Sequence, residues 1–294
     1  MKFEIKKAIT NKVFITICVL GLLISVLHCF KVLIPYNNFF MEREKIINAS
    51  EIQYNPLAET TSAFTMWIGF DRTNLIAKIF FVLLPILSIS SYCWSHCSDI
   101  KNGCAEKTIS QIGTYKYNLN KYISIFVSSG LSIAIPLIIN FMIIILFVPA
   151  IKPDSVYDIY YGIFSNNFMA DAFYNFPVVY VLSFVLVNFA FCGLFGCVAY
   201  TFSVLLKNRI ISISTPIVIL LIVEVINRQI IRNNPTFKII FSPLSFLCPF
   251  KSFETNWIVI SFELLLIFMV TFYISVFRFK TYDFKHIKRN NYEN

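Results

Sequence analysis

The chain has 294 residues, of which 57% are apolar and 14% charged, with a mean hydropathy of +0.70 and a formal net charge of +9. A soluble domain of that length could not hide so much apolar surface in one core, so lipid has to cover part of it. Membrane topology and anionic headgroups account for the positive excess, and no nucleic-acid partner is expected.

Residues 1–12 mix Phe3, Ile5, Ala8 and Ile9 with Lys2, Lys6, Lys7 and Lys12. This pattern suits a short amphipathic helix in the headgroup plane, or a plain basic anchor. Six apolar stretches follow at 13–34, 75–95, 122–148, 177–206, 210–226 and 257–277. Each approaches or exceeds the roughly 20 helical residues needed to span about 30 Å of hydrocarbon, the fifth being the shortest. In lipid every backbone N–H and C=O must be paired within its own segment, so long runs without strict alternation predict helices. The expected fold class is an all-α integral membrane protein of six transmembrane helices, a single transmembrane domain over 1–294 with no repeat of 20 to 50 residues. No small-residue cleavage site follows the first run, which continues to Lys31 and Pro35 and reads as a retained signal-anchor.

Between the spans, 35–74 is expected to be an outer loop with a small helix and with Trp67 in the interfacial belt. The stretch 96–121 is too long for a turn and carries Asp99, Lys101, Gly103, Glu106 and Ile109. It predicts a short amphipathic helix, serving as a solvated linker or as a docking surface. The loop 149–176 is crowded with aromatic rings that suit the outer headgroup level. In 227–256, Pro235, Pro243 and Pro249 forbid a seventh regular span. The apolar pieces Phe237 to Phe241 and Leu244 to Leu247 are too short to cross, which predicts a re-entrant or interfacial outer hairpin containing Pro243 and Phe246.

Lys and Arg set the orientation. Lys2 to Lys12, Lys101 to Lys121, Lys207 with Arg209, and Arg278 to Arg289 hold more than half of the 25 basic residues in short segments on one side. That side is expected to be cytoplasmic, with both termini and the tail 278–294 inside.

Candidate chemistry is sparse. A phosphate-binding loop requires a Gly-Lys pair followed by Ser or Thr, and no Gly-Lys pair occurs here. No His-Glu-x-x-His and no Gly-x-Ser-x-Gly elbow occurs either, so no catalytic set and no cofactor on this chain are expected. Cys93, His96, Cys97 and Cys104 match no standard zinc spacing and read as reduced thiols, with no metal expected. Cys29 and Cys248 are the cysteines placed near the outer face. Glu224 and Glu263 are costly in apolar spans and serve either structural ion pairing or the lining of a pathway. Pro85, Pro136 and Pro216 each remove a helical hydrogen bond and bend a span.

Three groups of residues then bear on family. The start Phe3-Glu4-Ile5-Lys6-Lys7 with Asn11-Lys12-Val13-Phe14 is charged and amphipathic. The stretch Asp99-Ile100-Lys101-Asn102-Gly103 is followed by Thr108-Ile109, Tyr117 and Lys121-Tyr122. Ser242-Pro243-Leu244-Ser245-Phe246 precedes the last span. In this order they make nearly the whole chain similar to the permease subunit of bacterial type-2 ABC exporters, although Cys104 stands where that family often has Thr. The resemblance implies a half-transporter in the bacterial cell membrane. It would pair with a second permease subunit, identical or related, and with a dimer of cytoplasmic ATPase subunits that bind ATP and Mg. Residues Ser98 to Gln111 would form the coupling helix, and the cargo would be an amphipathic peptide, an antimicrobial or a lipid-like molecule. The alternative class is an ATP-independent channel, secondary carrier or sensor-complex anchor, of which the carrier would be marked by inverted repeats.

Overall fold

The computed structural model describes residues 2–50, 61–71, 73–165, 167, 169–206, 208–233, 241–247 and 257–277, with backbone alone at 46–50, 233 and 246. Among them the chain is helical, with no strand. Six helices are long and apolar enough to cross a membrane, making this a multi-pass membrane protein. The predicted tail 278–294, Lys207, Cys248, the piece from Phe237 up to residue 240, and the side chain of Phe246 lie outside the described residues.

A short helix, α1 (Lys2–Ile9), leads into α2 (Lys12–Ser50). At 39 residues α2 is about 58 Å long at 1.5 Å per residue. It continues past Pro35 to Ser50, so residues 35–50, expected in an outer loop, are helix. The apolar stretch ends near residue 34, and the more polar residues after it carry the helix on, Pro35 giving up one hydrogen bond of the ladder. Ser62 caps α3 (Ala63–Met66) in a reciprocal capping box with Thr65. Asn74 caps α4 (Leu75–Ser90) by accepting from the Ile76 N–H at 3.0 Å.

The segment expected to couple to a partner folds as two helices, α5 (Ser95–Lys101) and α6 (Cys104–Ile112). Gly103 and Gly113 bound α6 with φ of 66° and 82°, a region where a Cβ is strained, so the chain turns sharply at both ends. The third span, α7 (Thr114–Phe147), therefore begins eight residues earlier than hydropathy placed it. Its first two turns carry Lys116, Asn118, Asn120 and Lys121, whose polarity hides their helicity from a hydropathy scan. Short helices α8 (Asp158–Tyr161) and α9 (Ala170–Asn175) cover the end of the bundle remote from α1, called the far end below. Helices α10 (Pro177–Leu206), α11 (Arg209–Asn233), α12 (Pro243–Leu247) and α13 (Trp257–Phe272), which ends in a π-helical turn over Tyr273–Phe277, complete the fold.

The core lies where α7 packs on α10, and α2, α4 and α1 gather around α7. Glycines make that central crossing close. A Cβ on Gly130 would stand 2.6 Å from the Phe189 ring and 2.8 Å from its carbonyl oxygen, and one on Gly193 would stand 2.8 Å from the Phe126 ring. The two rings meet edge to face at 5.6 Å, so each helix offers one Gly and one Phe to the other. Small residues that let backbones approach are the usual basis of helix association in lipid, where apolar burial gives little drive. The peripheral spans α11 and α13 are the least covered, presenting Val218, Leu221, Phe262, Leu265 and Met269 outward.

Gly130→Val forces its side chain into the Phe189 backbone. It should cost about 1–3 kcal/mol, read as a lower temperature at which detergent-purified protein loses its monodisperse elution.

Candidate functional site

At the α1 end the chain buries a lysine. The Lys121 side chain on α7 has 0% exposure, and its ammonium contacts Asp99 Oδ2 on α5 and Glu4 Oε2 on α1 at 3.5 Å. It also lies 5.0 Å from the centroid of the Tyr92 ring, a cation–π contact. The second oxygen of Asp99 accepts from Lys7 of α1 at 3.1 Å. Charges thus alternate Lys7, Asp99, Lys121, Glu4 across three helices. Glu4 and Lys7 are three residues apart, hence on one face of α1, and the neighbouring Ala8 is fully buried. The start of the chain is therefore docked on α7 by this face, while Phe3 remains 77% exposed.

A second layer sits beside these charges. His96 Nδ1 is 3.4 Å from the Tyr117 hydroxyl, and its ring meets the edge of Tyr200, whose hydroxyl donates to Asn118 Oδ1 at 3.3 Å. The Arg209 guanidinium lies 4.3 Å over Trp94 and joins the start of α11 to that of α5. Helix α5 is therefore held by α1, α7, α10 and α11 together. Helix α6 is not held so: it buries Ala105 and exposes Cys104, Glu106, Lys107, Ser110 and Gln111.

The predicted coupling residues thus divide. Asp99, expected on an exposed docking helix, is 9% exposed and satisfied inside the bundle, because the buried Lys121 needs a counter-charge. Lys101 and Glu106 are exposed, Ile109 is half-buried, and Gly103 makes the turn between the two helices. Among the described residues no group of three His, Cys, Asp or Glu is placed to share a metal ion. Cys93 and Cys97 are buried free thiols, while Cys104 is exposed on α6.

The far end has two polar knots. In the first, Asn140 on α7 accepts from the Ile68 N–H at 2.8 Å, and its amide nitrogen donates to the Ser25 carbonyl at 3.0 Å and to His28 Nδ1 at 3.3 Å. With Nδ1 accepting, His28 Nε2 donates to Asp71 Oδ2 at 3.1 Å. Burial pushes the Asp71 carboxyl up, but hydrogen bonds from His28, the Thr73 backbone and hydroxyl, and the Asn74 backbone outweigh it and hold the carboxyl below its ordinary value. This knot joins α2 and α7 to the cap over 61–74.

In the second knot Glu224, 5% exposed on α11, accepts from the Ser242 and Ser245 hydroxyls at 2.6 Å each and from Arg228 Nε at 2.8 Å. Asn227 Oδ1 accepts from the Phe241 N–H at 3.2 Å. Through these bonds Glu224 clasps Pro243–Leu247 to α11. Glu263 on α13 is half-buried and makes no hydrogen bond or ion pair among the described residues, its Oε2 being buried without a partner. Sequence reading missed Lys121 and Asn140 as organising residues; the available signal was a strongly polar residue on the flank or within an apolar helix.

Asp99→Ala leaves Lys121 short of its main counter-charge and should cost about 3–5 kcal/mol of stability. The double change Asp99→Leu with Lys121→Met removes both charges and should recover most of that loss in the same thermal assay. Because the Asp71 carboxyl is depressed in the folded state, its stabilisation is complete above the ordinary carboxylate range and is lost as pH falls below about 4. Asp71→Ala should therefore cost about 1.5–3 kcal/mol at pH 7, and the penalty should shrink toward zero in an acid titration of stability.

No family model, curated protein or solved structure matches this chain, so what is established is a multi-pass helical membrane protein, and function has to be argued from its own residues.

Proposed function

We propose that this chain is the membrane-spanning subunit of an ATP-driven exporter, similar to the permeases of bacterial type-2 ABC exporters, and that it moves an amphipathic substrate out of the cell. The α1 end is then cytoplasmic, both termini lie inside, and Pro243–Leu247 belongs to a re-entrant outer hairpin. ATP and Mg belong to a separate ATPase dimer, and a second permease subunit completes the pathway.

The observation that carries this reading is the contrast between α5 and α6. Helix α6 projects Glu106 and Lys107 into solvent between two left-handed glycines, whereas its neighbour α5 is tied by Asp99 to α7 and α1. A force applied to α6 would pass through Gly103 into α5. From there the ion pairs would carry it to the central span and the N-terminal helix at once. These 294 residues carry no Gly-Lys phosphate loop, and this reading assigns ATP binding to a separate ATPase.

One observation favours a second reading, an ATP-independent carrier. An ionisable group without a partner inside a span is a common mark of a proton or ion path, and Glu263 is such a group among the described residues.

The two readings separate on purification of the full chain from its native membrane in mild detergent. The exporter reading expects a stoichiometric soluble chain bearing a phosphate-binding loop to co-elute. Charge reversal on the exposed face, Glu106→Arg with Lys101→Glu, should then weaken its retention about tenfold, near 1.4 kcal/mol, without changing membrane insertion. Purified chain that moves cargo unaided in vesicles, with transport abolished by Glu263→Gln, would overturn the exporter reading.

A further inference from the structure

A groove of about 600 Å³ opens on the surface of the bundle between α2 and the last turns of α7. We propose that it is a lipid site that holds one hydrocarbon chain of a bilayer lipid from the leaflet at the far end, with the headgroup against Tyr36, Asn37 and Asn38. The site stands on the membrane-spanning bundle alone and survives if the ATP-driven reading fails.

Depth is the first argument. Taking α2 from Val13, its first apolar residue, at about 1.5 Å per residue, Val26 lies about 20 Å along the helix, Ile34 about 31 Å and Asn38 about 37 Å. A hydrocarbon core of roughly 30 Å with headgroup layers beyond it puts the lining from Val26 to Ile34 among acyl chains and Asn37 and Asn38 among headgroups. The lining changes character at that height. Cys29 is buried, Leu33 and Ile143 are half-buried, and Phe30, Ile34 and Phe147 stand exposed around them. Above them come one phenol and two amides. Apolar below and polar above, in register with the bilayer, is the profile of a single lipid molecule. Among the described residues no charged side chain lines the groove, so the polar end suits a neutral or zwitterionic headgroup.

Shape is the second argument. A helix from a second copy would need Gly, Ala, Ser or Thr along the contact to approach closely, and among the described residues none of these lines the groove. Large side chains wall it instead. A slot bounded by two Phe and an Ile admits a flexible chain more readily than a helix about 10 Å across. Its volume also falls within the roughly 300–1,000 Å³ of small-molecule sites.

The test reconstitutes the full chain in phosphatidylcholine vesicles containing a trace of the same lipid with a diazirine near the middle of one chain. After photolysis, adducts are mapped by peptide mass spectrometry. The comparison surface is Leu182 to Leu186 of α10, at a similar distance from the far end, where Leu182 and Leu186 are 63% and 66% exposed. Labelling of 26–34 and 143–147 should exceed that surface severalfold. Leu33→Trp, and in parallel Ile143→Trp, should fill the groove and abolish the excess while leaving Leu182 to Leu186 unchanged. Equal labelling of both surfaces in the unaltered protein would overturn the proposal. So would an excess that persists in both tryptophan variants, or efficient cross-linking of Ile34→Cys between two copies, which would put a protein partner on this face.

Discussion

Much of this structure depends on one constraint, that a charge taken out of water needs its counter-charge at hand. Lys121 has no exposed atom to give to solvent, and the elements at that end of the bundle are placed around it. Asp99 brings α5, Glu4 brings α1, and Tyr92 supplies a ring from the turn after α4. Lys7 balances the second oxygen of Asp99, leaving two positive and two negative groups in one net. Removing either Asp99 or Lys121 alone would strand the other, so the two are best regarded as a single unit.

The same constraint operates at the far end with neutral groups. Asn140 sits about two turns from the end of the apolar helix α7, and its amide reaches the backbone of α2 and of the cap in one step. Glu224 spends its carboxylate on two hydroxyls and an arginine, and in doing so fixes the short segment Pro243–Leu247 to α11. In both knots a buried polar side chain on a span is matched by donors from a segment that is not a span. Hydrogen bonds in a low-dielectric setting add to the packing of Trp67, Ile68 and Leu247 in holding these short segments.

Between the two ends, the crossing of α7 and α10 is the rigid part. Gly130 faces Phe189, and Gly193 faces Phe126, so neither helix can slide along the other without driving a ring into a backbone. Helices α11 and α13 are attached at the edge and carry the largest lipid-facing surfaces. The bundle thus combines a close-packed central crossing, less covered edge helices and ion-paired short helices at one end.

Hydropathy and backbone satisfaction act within a segment and are summed along it, which is why six helical spans are legible in the chain, the fourth and sixth to the residue. The same pattern allows for a short helix at the start and within 96–121 and marks the costly glutamates. It misses the end of α2, the start of α7 and the end of α11 at Asn233, where polar turns continue a helix beyond its apolar run. Which polar groups meet is settled in the folded bundle alone. Lys7 and Asp99 are 92 positions apart, His28 and Asn140 are 112 apart, and Asp99 is buried beside Lys121. Such pairings depend on how each helix is rotated about its axis and at what height it crosses its neighbours, quantities that a one-dimensional pattern of hydropathy does not contain.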